Sequence, residues 1–136
     1  MPVLVDSNIV LDVVTDDPVW ADWSDAAITR YQEEGLIINP MVYAELCAGA
    51  ASPGEVDVVV ESLKLHFQEV PREGLYFAAQ AFLKYRRQGG AKTSPLPDFF
   101  IGGHAQASGL PILTRDTARY DAYFPDVELI CPAREV

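Results

Sequence analysis

Three short runs built only from apolar, mostly branched residues constrain this chain most: Val3-Leu4-Val5, Leu36-Ile37-Ile38 and Ile112-Leu113. A run that is apolar throughout, rather than alternating, has both faces buried, which is the mark of a parallel sheet covered on both sides. Parallel strands need crossover connections, and the stretches between these runs read as helices. Ser7 to Val14 is one, Pro18 to about Glu34 a second, and Asn39-Pro40 opens a third from Met41 to about Ala50. Glu55 to about Leu65, Glu73 to Arg87 and Pro97 to Ser108 follow, punctuated by Ser52-Pro53-Gly54, a loop from Gly89 to Pro97, and Gly109. Phe67 to Val70 and Val127 to Ile130 are weaker strand candidates. On the helix from Glu73, Leu75, Ala78, Ala79 and Phe82 recur at i, i+3, i+4 and i+7 and define the expected buried face. The pattern predicts an α/β/α sandwich with a short, mostly parallel sheet and helices on both faces, as one domain over residues 1–136.

In such folds, ligands gather beyond the carboxyl ends of the strands. Four acids are tied to that geography. Asp6 ends the first run, and Asp116 follows the last with Thr114 and Arg115 between. Glu45 interrupts Met41-Val42-Tyr43-Ala44 and Leu46-Cys47-Ala48, and Asp98 follows Pro97 and opens Phe99-Phe100-Ile101. Singly, each has an ordinary explanation. Asp6 or Ser7 caps a helix, Asp98 suits a first helical turn, and Asp116 has Arg119 three residues on for a local ion pair. Glu45 is different: Met41, Val42, Ala48 and Gly49 lie one turn away, with no basic partner. Taken together, the four acids are candidates to converge. Carboxylates that meet repel unless a divalent cation lies between them, so the pattern points to a Mg²⁺ (or Mn²⁺) centre and to phosphodiester chemistry.

Charge narrows the partners. Ten basic against twenty acidic residues give a formal charge of −10, which disfavours a protein that coats nucleic acid through its overall field and suits a basic protein partner. The basic residues are unevenly placed. No acid lies between Glu73 and Asp98, and that gap holds Lys84, Arg86, Arg87 and Lys92 around Tyr85. This is either the solvated face of a helix or a phosphate-gripping edge beside the site.

Other chemistries find little support. His66 and His104 lack partners at zinc spacing, with His104 turned away from Asp98 by helical geometry. There is no nucleophile elbow, and Gly89-Gly90 and Gly102-Gly103 form no phosphate loop. The Gly102-Gly103 pair, inside a helix, instead suggests close packing against the sheet or another subunit. Cys47 and Cys131 read as buried thiols in a reducing cytoplasm. No apolar run approaches the ~18 residues needed to span a bilayer. Asp12, Asp16, Asp17, Asp22 and Asp25 read as solvated or capping acids, with Asp12 held in reserve for its nearness to Asp6.

Val5-Asp6-Ser7-Asn8, Ala44-Glu45-Leu46, Leu96-Pro97-Asp98-Phe99-Phe100-Ile101 and Leu113-Thr114-Arg115-Asp116 resemble the ordered acidic motifs of PIN-domain nucleases, most of all the VapC-type toxins of toxin–antitoxin pairs. The resemblance runs from Val3 to about Ile130. It implies a metal-dependent endoribonuclease with Asp6 and Asp98 as principal ligands and Glu45 and Asp116 completing the acidic site. Ser7, Asn8 and Thr114 become polar supports behind them. It further implies an RNA substrate, products with 5′-phosphate and 3′-hydroxyl ends, a homodimer and a cognate antitoxin. Gly102-Gly103 departs from the family pattern, where small alanines are more usual, and puts local rigidity in question.

Rival readings are a receiver-like Mg²⁺-binding regulatory domain, a phosphatase with an aspartyl nucleophile, and a non-catalytic RNA- or protein-binding module on the same fold. The first wants adjacent acids after strand one and a late Lys, and the second wants Asp-x-Asp. The chain offers Asp6-Ser7-Asn8 and no Lys after Thr114.

Overall fold

The first apolar run forms strand β1 (Val3–Val5) at the centre of a five-stranded sheet. Its neighbours are β2 (Leu36–Ile38) and β4 (Ile112–Leu113), with β3 (Leu65–Phe67) and β5 (Leu129–Ile130) at the edges, in the order β3-β2-β1-β4-β5. Every pairing is parallel. Leu4 sits in register with Ile37 on one side and Ile112 on the other, and all three are essentially inaccessible to solvent, as their uninterrupted hydrophobicity requires. The computed structural model describes residues 1–90 and 96–132. Lys92 and the middle of the expected loop before Pro97 lie outside the described residues.

Helices α1 (Ser7–Val14), α2 (Ala21–Tyr31), α3 (Pro40–Ala48) and α4 (Pro53–Ser62) fill the crossovers from β1 to β3. Helices α5 (Arg72–Arg87), α6 (Leu96–Ser108) and α7 (Ala118–Tyr123) fill the return. Right-handed crossovers put the first set on one face and the second on the other. The α/β/α sandwich expected from sequence is the fold observed. A receiver-like fold would follow the flavodoxin-type order 2-1-3-4-5, and this sheet does not.

Several boundaries differ from expectation, each for a local reason. Strand β3 is Leu65–Phe67 rather than Phe67 to Val70, because α4 stops at Ser62 and Lys64 reverses the chain at φ 57° without a glycine to announce it. Helix α2 begins at Ala21, not Pro18, since the Asp17 carboxylate accepts from the Val19 and Trp20 amides and holds a turn ahead of the helix. Helix α7 was not expected at all.

The buried face of α5 also differs. Gly74, Ala78 and Ala81 are buried, while Leu75 and Ala79 face solvent. Small residues face inward because α5 lies close against α6: a Cβ on Gly103 would stand 2.3 Å from the Gly74 carbonyl and 2.9 Å from the Ala78 nitrogen. A Cβ on Gly102 would meet the Phe124 ring at 2.3 Å. The glycine pair thus serves close packing, against α5 and Phe124 rather than the sheet.

Candidate metal centre

Asp6 leaves β1 where its amide donates to the Leu113 carbonyl at 3.0 Å, which fixes it beside the end of β4. It is also the N-cap of α1, its Oδ1 accepting from the Ser7 amide at 2.8 Å. Although only 3% exposed, the carboxylate is richly partnered. Its Oδ2 accepts from Thr114 Oγ1 at 2.9 Å, Tyr120 OH at 2.9 Å and Asn8 Nδ2 at 3.3 Å. Burial pushes the Asp6 carboxyl up from its ordinary range, the Tyr120, Thr114 and Ser7 hydrogen bonds pull it down, and the charge of Asp116 raises it.

The other acids gather around it. Ser7 Oγ donates to Glu45 Oε1 at 3.1 Å, so successive residues at the start of α1 engage two of the four carboxylates. Glu45 is pushed up by burial and then by the charge of Asp6, with the Ser7 hydrogen bond opposing. Asp98, in the first turn of α6, is raised to about 7, first by burial and then by the charges of Asp6, Asp116 and Glu45. A carboxyl that feels three others through space is the electrostatic signature of convergence. Asp116 is exposed, and its amide donates to Thr114 Oγ1 at 3.1 Å. The structure therefore brings all four acids to the carboxyl edge of the sheet.

They do not form a tight cage. Among the described residues, no group of three or more His, Cys, Asp or Glu side chains is assembled as a ready-made metal site. The two observations are compatible: coupling acts through space, whereas a cage needs near contact. The donor set itself is all oxygen, which suits a hard cation, and Mg²⁺ typically uses one or two carboxylates and keeps several waters. In that chemical sense the residues fit the ion.

The PIN domain model matches residues 3–125. The chain belongs to the PIN domain family. Solved structures agree on the fold. VapBC2 from Rickettsia felis, described as bound to a DNA fragment from its promoter, matches with a TM-score of 0.75 at 15% identity, covering 97% of this chain and 99% of that one. FitAcB from Neisseria gonorrhoeae matches at 0.70 and 20% identity over 99% and 100% of the two chains. DNA-bound VapBC from Salmonella typhimurium matches at 0.70 and 18% identity over 96% and 98%. No curated protein matches the chain in sequence.

Within this PIN domain the expected supports fall close to the acids. Asn8 donates from Nδ2 to Thr114 Oγ1 at 3.2 Å, and its Oδ1 accepts from the Arg115 amide at 3.1 Å. Asp12, held in reserve as a possible site acid, is instead consumed by structure. It is 3% exposed, binds Arg115 through both carboxylate oxygens and accepts from Ser24 Oγ at 2.7 Å. No ion pair joins Asp116 to Arg119 among the described residues. Arg119 places its guanidinium 5.2 Å above the Tyr85 ring and 6.0 Å from that of Phe99, partly offsetting the charge around Asp98.

Lys84, Arg86 and Arg87 are exposed on the last turn of α5. Tyr85, between them, packs 5.5 Å from Phe99, the residue after Asp98. His66 is exposed on β3, and His104 is buried with Nδ1 3.3 Å from Asn39 Nδ2. Cys47 and Cys131 are free thiols, Cys131 fully buried and Cys47 partly so. No helix among the described residues is long and apolar enough to cross a membrane. Sequence reasoning missed Tyr120, and it named Arg119 only as an ion-pair partner for Asp116. Both lie on or beside the six-residue α7, too short to leave a periodic signature, and only the tertiary fold reveals them.

Proposed function

We propose that this PIN domain is a Mg²⁺- or Mn²⁺-dependent endoribonuclease and the toxin of a VapC-type toxin–antitoxin pair, acting in the cytoplasm as a single-domain homodimer. The observation that carries the reading is the position of Asp98, whose carboxyl is raised to about 7 with Asp6, Asp116 and Glu45 all contributing. So many mutually repelling acids at one strand edge make sense as a place for a cation. Asp6 and Asp98 would hold it, with Glu45 and Asp116 completing the acidic rim. A bound Mg²⁺ there supplies Lewis acidity and an activated water for in-line attack on a phosphodiester. The chain's own side chains do the rest. Ser7 and Thr114 orient Glu45 and Asp6. Lys84, Arg86 and Arg87, exposed on the last turn of α5, would form an edge for the RNA backbone.

The formal charge of −10, and the likeness of the fold to a chain of a structure described as a toxin–antitoxin complex from Klebsiella pneumoniae, support a basic antitoxin segment that seats an Arg or Lys among the acids. A guanidinium in that position would compete with metal.

The test is cleavage of a labelled structured RNA by purified protein in Mg²⁺, in Mn²⁺ and in EDTA, beside Asp98→Asn. Metal-dependent cutting that leaves 5′-phosphate and 3′-hydroxyl ends, and that Asp98→Asn lacks, is the expected result. Cleavage by Asp98→Asn at the wild-type rate would reject the assignment, and silence in both metals would favour a non-catalytic binding module.

A further inference from the structure

The hydrogen bonds of Asp6 are divided unequally between its two oxygens. Oδ2 takes three side-chain donors, Tyr120 OH at 2.9 Å, Thr114 Oγ1 at 2.9 Å and Asn8 Nδ2 at 3.3 Å. Oδ1 takes only the Ser7 amide at 2.8 Å. A carboxylate offers about two acceptor sites on each oxygen. Oδ2 is therefore filled, and Oδ1 keeps one free.

Tyr120 matters most among the three donors because of where it comes from. It is 1% exposed and projects from α7, after β4, across 114 positions of sequence to reach the end of β1. Packing alone would be met by a phenylalanine; the hydroxyl adds a buried polar group that must find a partner, and the partner here is a carboxylate of the metal centre. We propose that Tyr120 is a positioning residue for that centre: with Thr114 and Asn8 it locks Oδ2 of Asp6, so that Asp6 offers a cation Oδ1 alone. This inference rests on the metal-centre reading above. It also fits the open arrangement of the acids, because a one-oxygen ligand leaves room for water in the coordination shell.

Mn²⁺ serves as the probe, titrated into the full chain without RNA and followed by electron paramagnetic resonance. Wild type is compared with Tyr120→Phe, Thr114→Val and Thr114→Ser. Tyr123→Phe is the control, since the Tyr123 hydroxyl bonds Gln88 at 2.8 Å on an exposed surface. Loss of a residue that orients a metal ligand commonly weakens metal affinity on the order of 10–100-fold. Tyr120→Phe and Thr114→Val should lie in that range, while Thr114→Ser, which keeps the hydroxyl, and Tyr123→Phe should bind as wild type does. Equal Mn²⁺ affinity in wild type and Tyr120→Phe, with only the unfolding midpoint changed, would overturn the proposal and leave the hydroxyl a packing role. If Tyr120→Phe does not fold, Thr114→Val against Thr114→Ser decides the same question. A wild type that binds no Mn²⁺ defeats the metal-centre reading itself and the inference with it.

Discussion

Arg115 grips Asp12 with two parallel hydrogen bonds, Nε to Oδ2 at 2.7 Å and Nη2 to Oδ1 at 2.8 Å, while its guanidinium lies 5.2 Å from the Trp20 ring. The pair joins α1 to the segment after β4 that carries Thr114 and Asp116. Asp12 is 3% exposed, and its hydrogen bonds come from this fork and from Ser24. Removing Arg115 leaves Asp12 inside without its charge partner, and removing Asp12 leaves the buried Ser24 hydroxyl and the partly exposed Arg115 guanidinium without theirs. Asp12→Ala should cost roughly 2–4 kcal/mol of stability. Urea unfolding should show a lower midpoint at an unchanged slope, and a loss below ~0.5 kcal/mol would contradict the pair's structural role.

Asp98 ties stability to pH in an unusual direction. A free carboxyl titrates near 3.8, and folded Asp98 near 7. Between those values the folded protein holds a proton that the unfolded chain has lost, so this residue erodes stability as pH rises through the window. Asp98→Asn removes the effect. Without metal, the variant should match wild type near pH 4 and exceed it above pH 7 by on the order of 1–2 kcal/mol, a figure already reduced for the solvent that reaches the carboxyl. Thermal unfolding across pH in EDTA measures it; a variant that is equally stable at pH 8 would contradict the crowding of acids.

His104 acts at the other limb. Asn39 Oδ1 accepts from the Met41 and Val42 amides as the cap of α3, which turns its Nδ2 toward the imidazole and requires His104 Nδ1 to be an unprotonated acceptor. Burial lowers the His104 pKa from its ordinary 6.5. Below that value the unfolded chain binds a proton that the folded chain refuses, so stability present above about pH 6.5 is lost as pH falls toward the lower folded value. His104→Gln, with an amide oxygen to accept from Asn39, should flatten the difference in stability between pH 7.5 and pH 5. An unchanged slope would show that His104 contributes nothing there.

Much of this was legible in the chain, and the failures have two causes. β1, β2 and β4 are apolar on both faces because they are buried on both faces, so short uninterrupted apolar runs reveal them. Asp6, Glu45, Asp98 and Asp116 could be singled out because each opens, interrupts or closely follows an apolar run. The buried face of α5 was read only in part: Ala78 and Phe82 pack inward as expected, but a rule that equates burial with bulk passes over Gly74 and Ala81, which are buried too, and places the exposed Leu75 inside. Tyr120 was invisible, and Asp12 was held in reserve for the wrong role, for another reason. Their importance lies wholly in a partner about 100 positions away, Arg115 for one and Asp6 for the other.

The α5–α6 contact predicts an order among glycine variants. The Cβ of Gly103→Ala would strike backbone, the Gly74 carbonyl and the Ala78 nitrogen, and backbone yields only if a helix moves. The Cβ of Gly102→Ala would strike the Phe124 ring, a side chain that can turn. Overpacking costs typically 1–3 kcal/mol, against a gain of up to ~1 kcal/mol from alanine's helix propensity. Gly103→Ala should be the more destabilising of the two in chemical denaturation, and the reverse order would refute the close approach of the helices.

If the end of α5 carries RNA, Arg86→Ala together with Arg87→Ala should weaken binding and flatten its salt dependence. Each lost contact with single-stranded phosphate removes ~0.7 from the slope of log affinity against log salt. Mn²⁺ binding should be unaffected. Matching slopes and affinities for wild type and the double variant would leave this basic turn a solvated helix end.

The strand order has a consequence for how the protein comes into being. β4 is inserted beside β1, so Asp6 receives Thr114 and Tyr120 only after a further 108 and 114 positions have been synthesised. Until then the central strand lacks a neighbour and the carboxylate lacks two of its donors. Contacts of such long sequence separation close slowly. A growing chain on the ribosome therefore carries Asp6 and Glu45 without a finished centre until the segment from Thr114 to Tyr120 has emerged and docked.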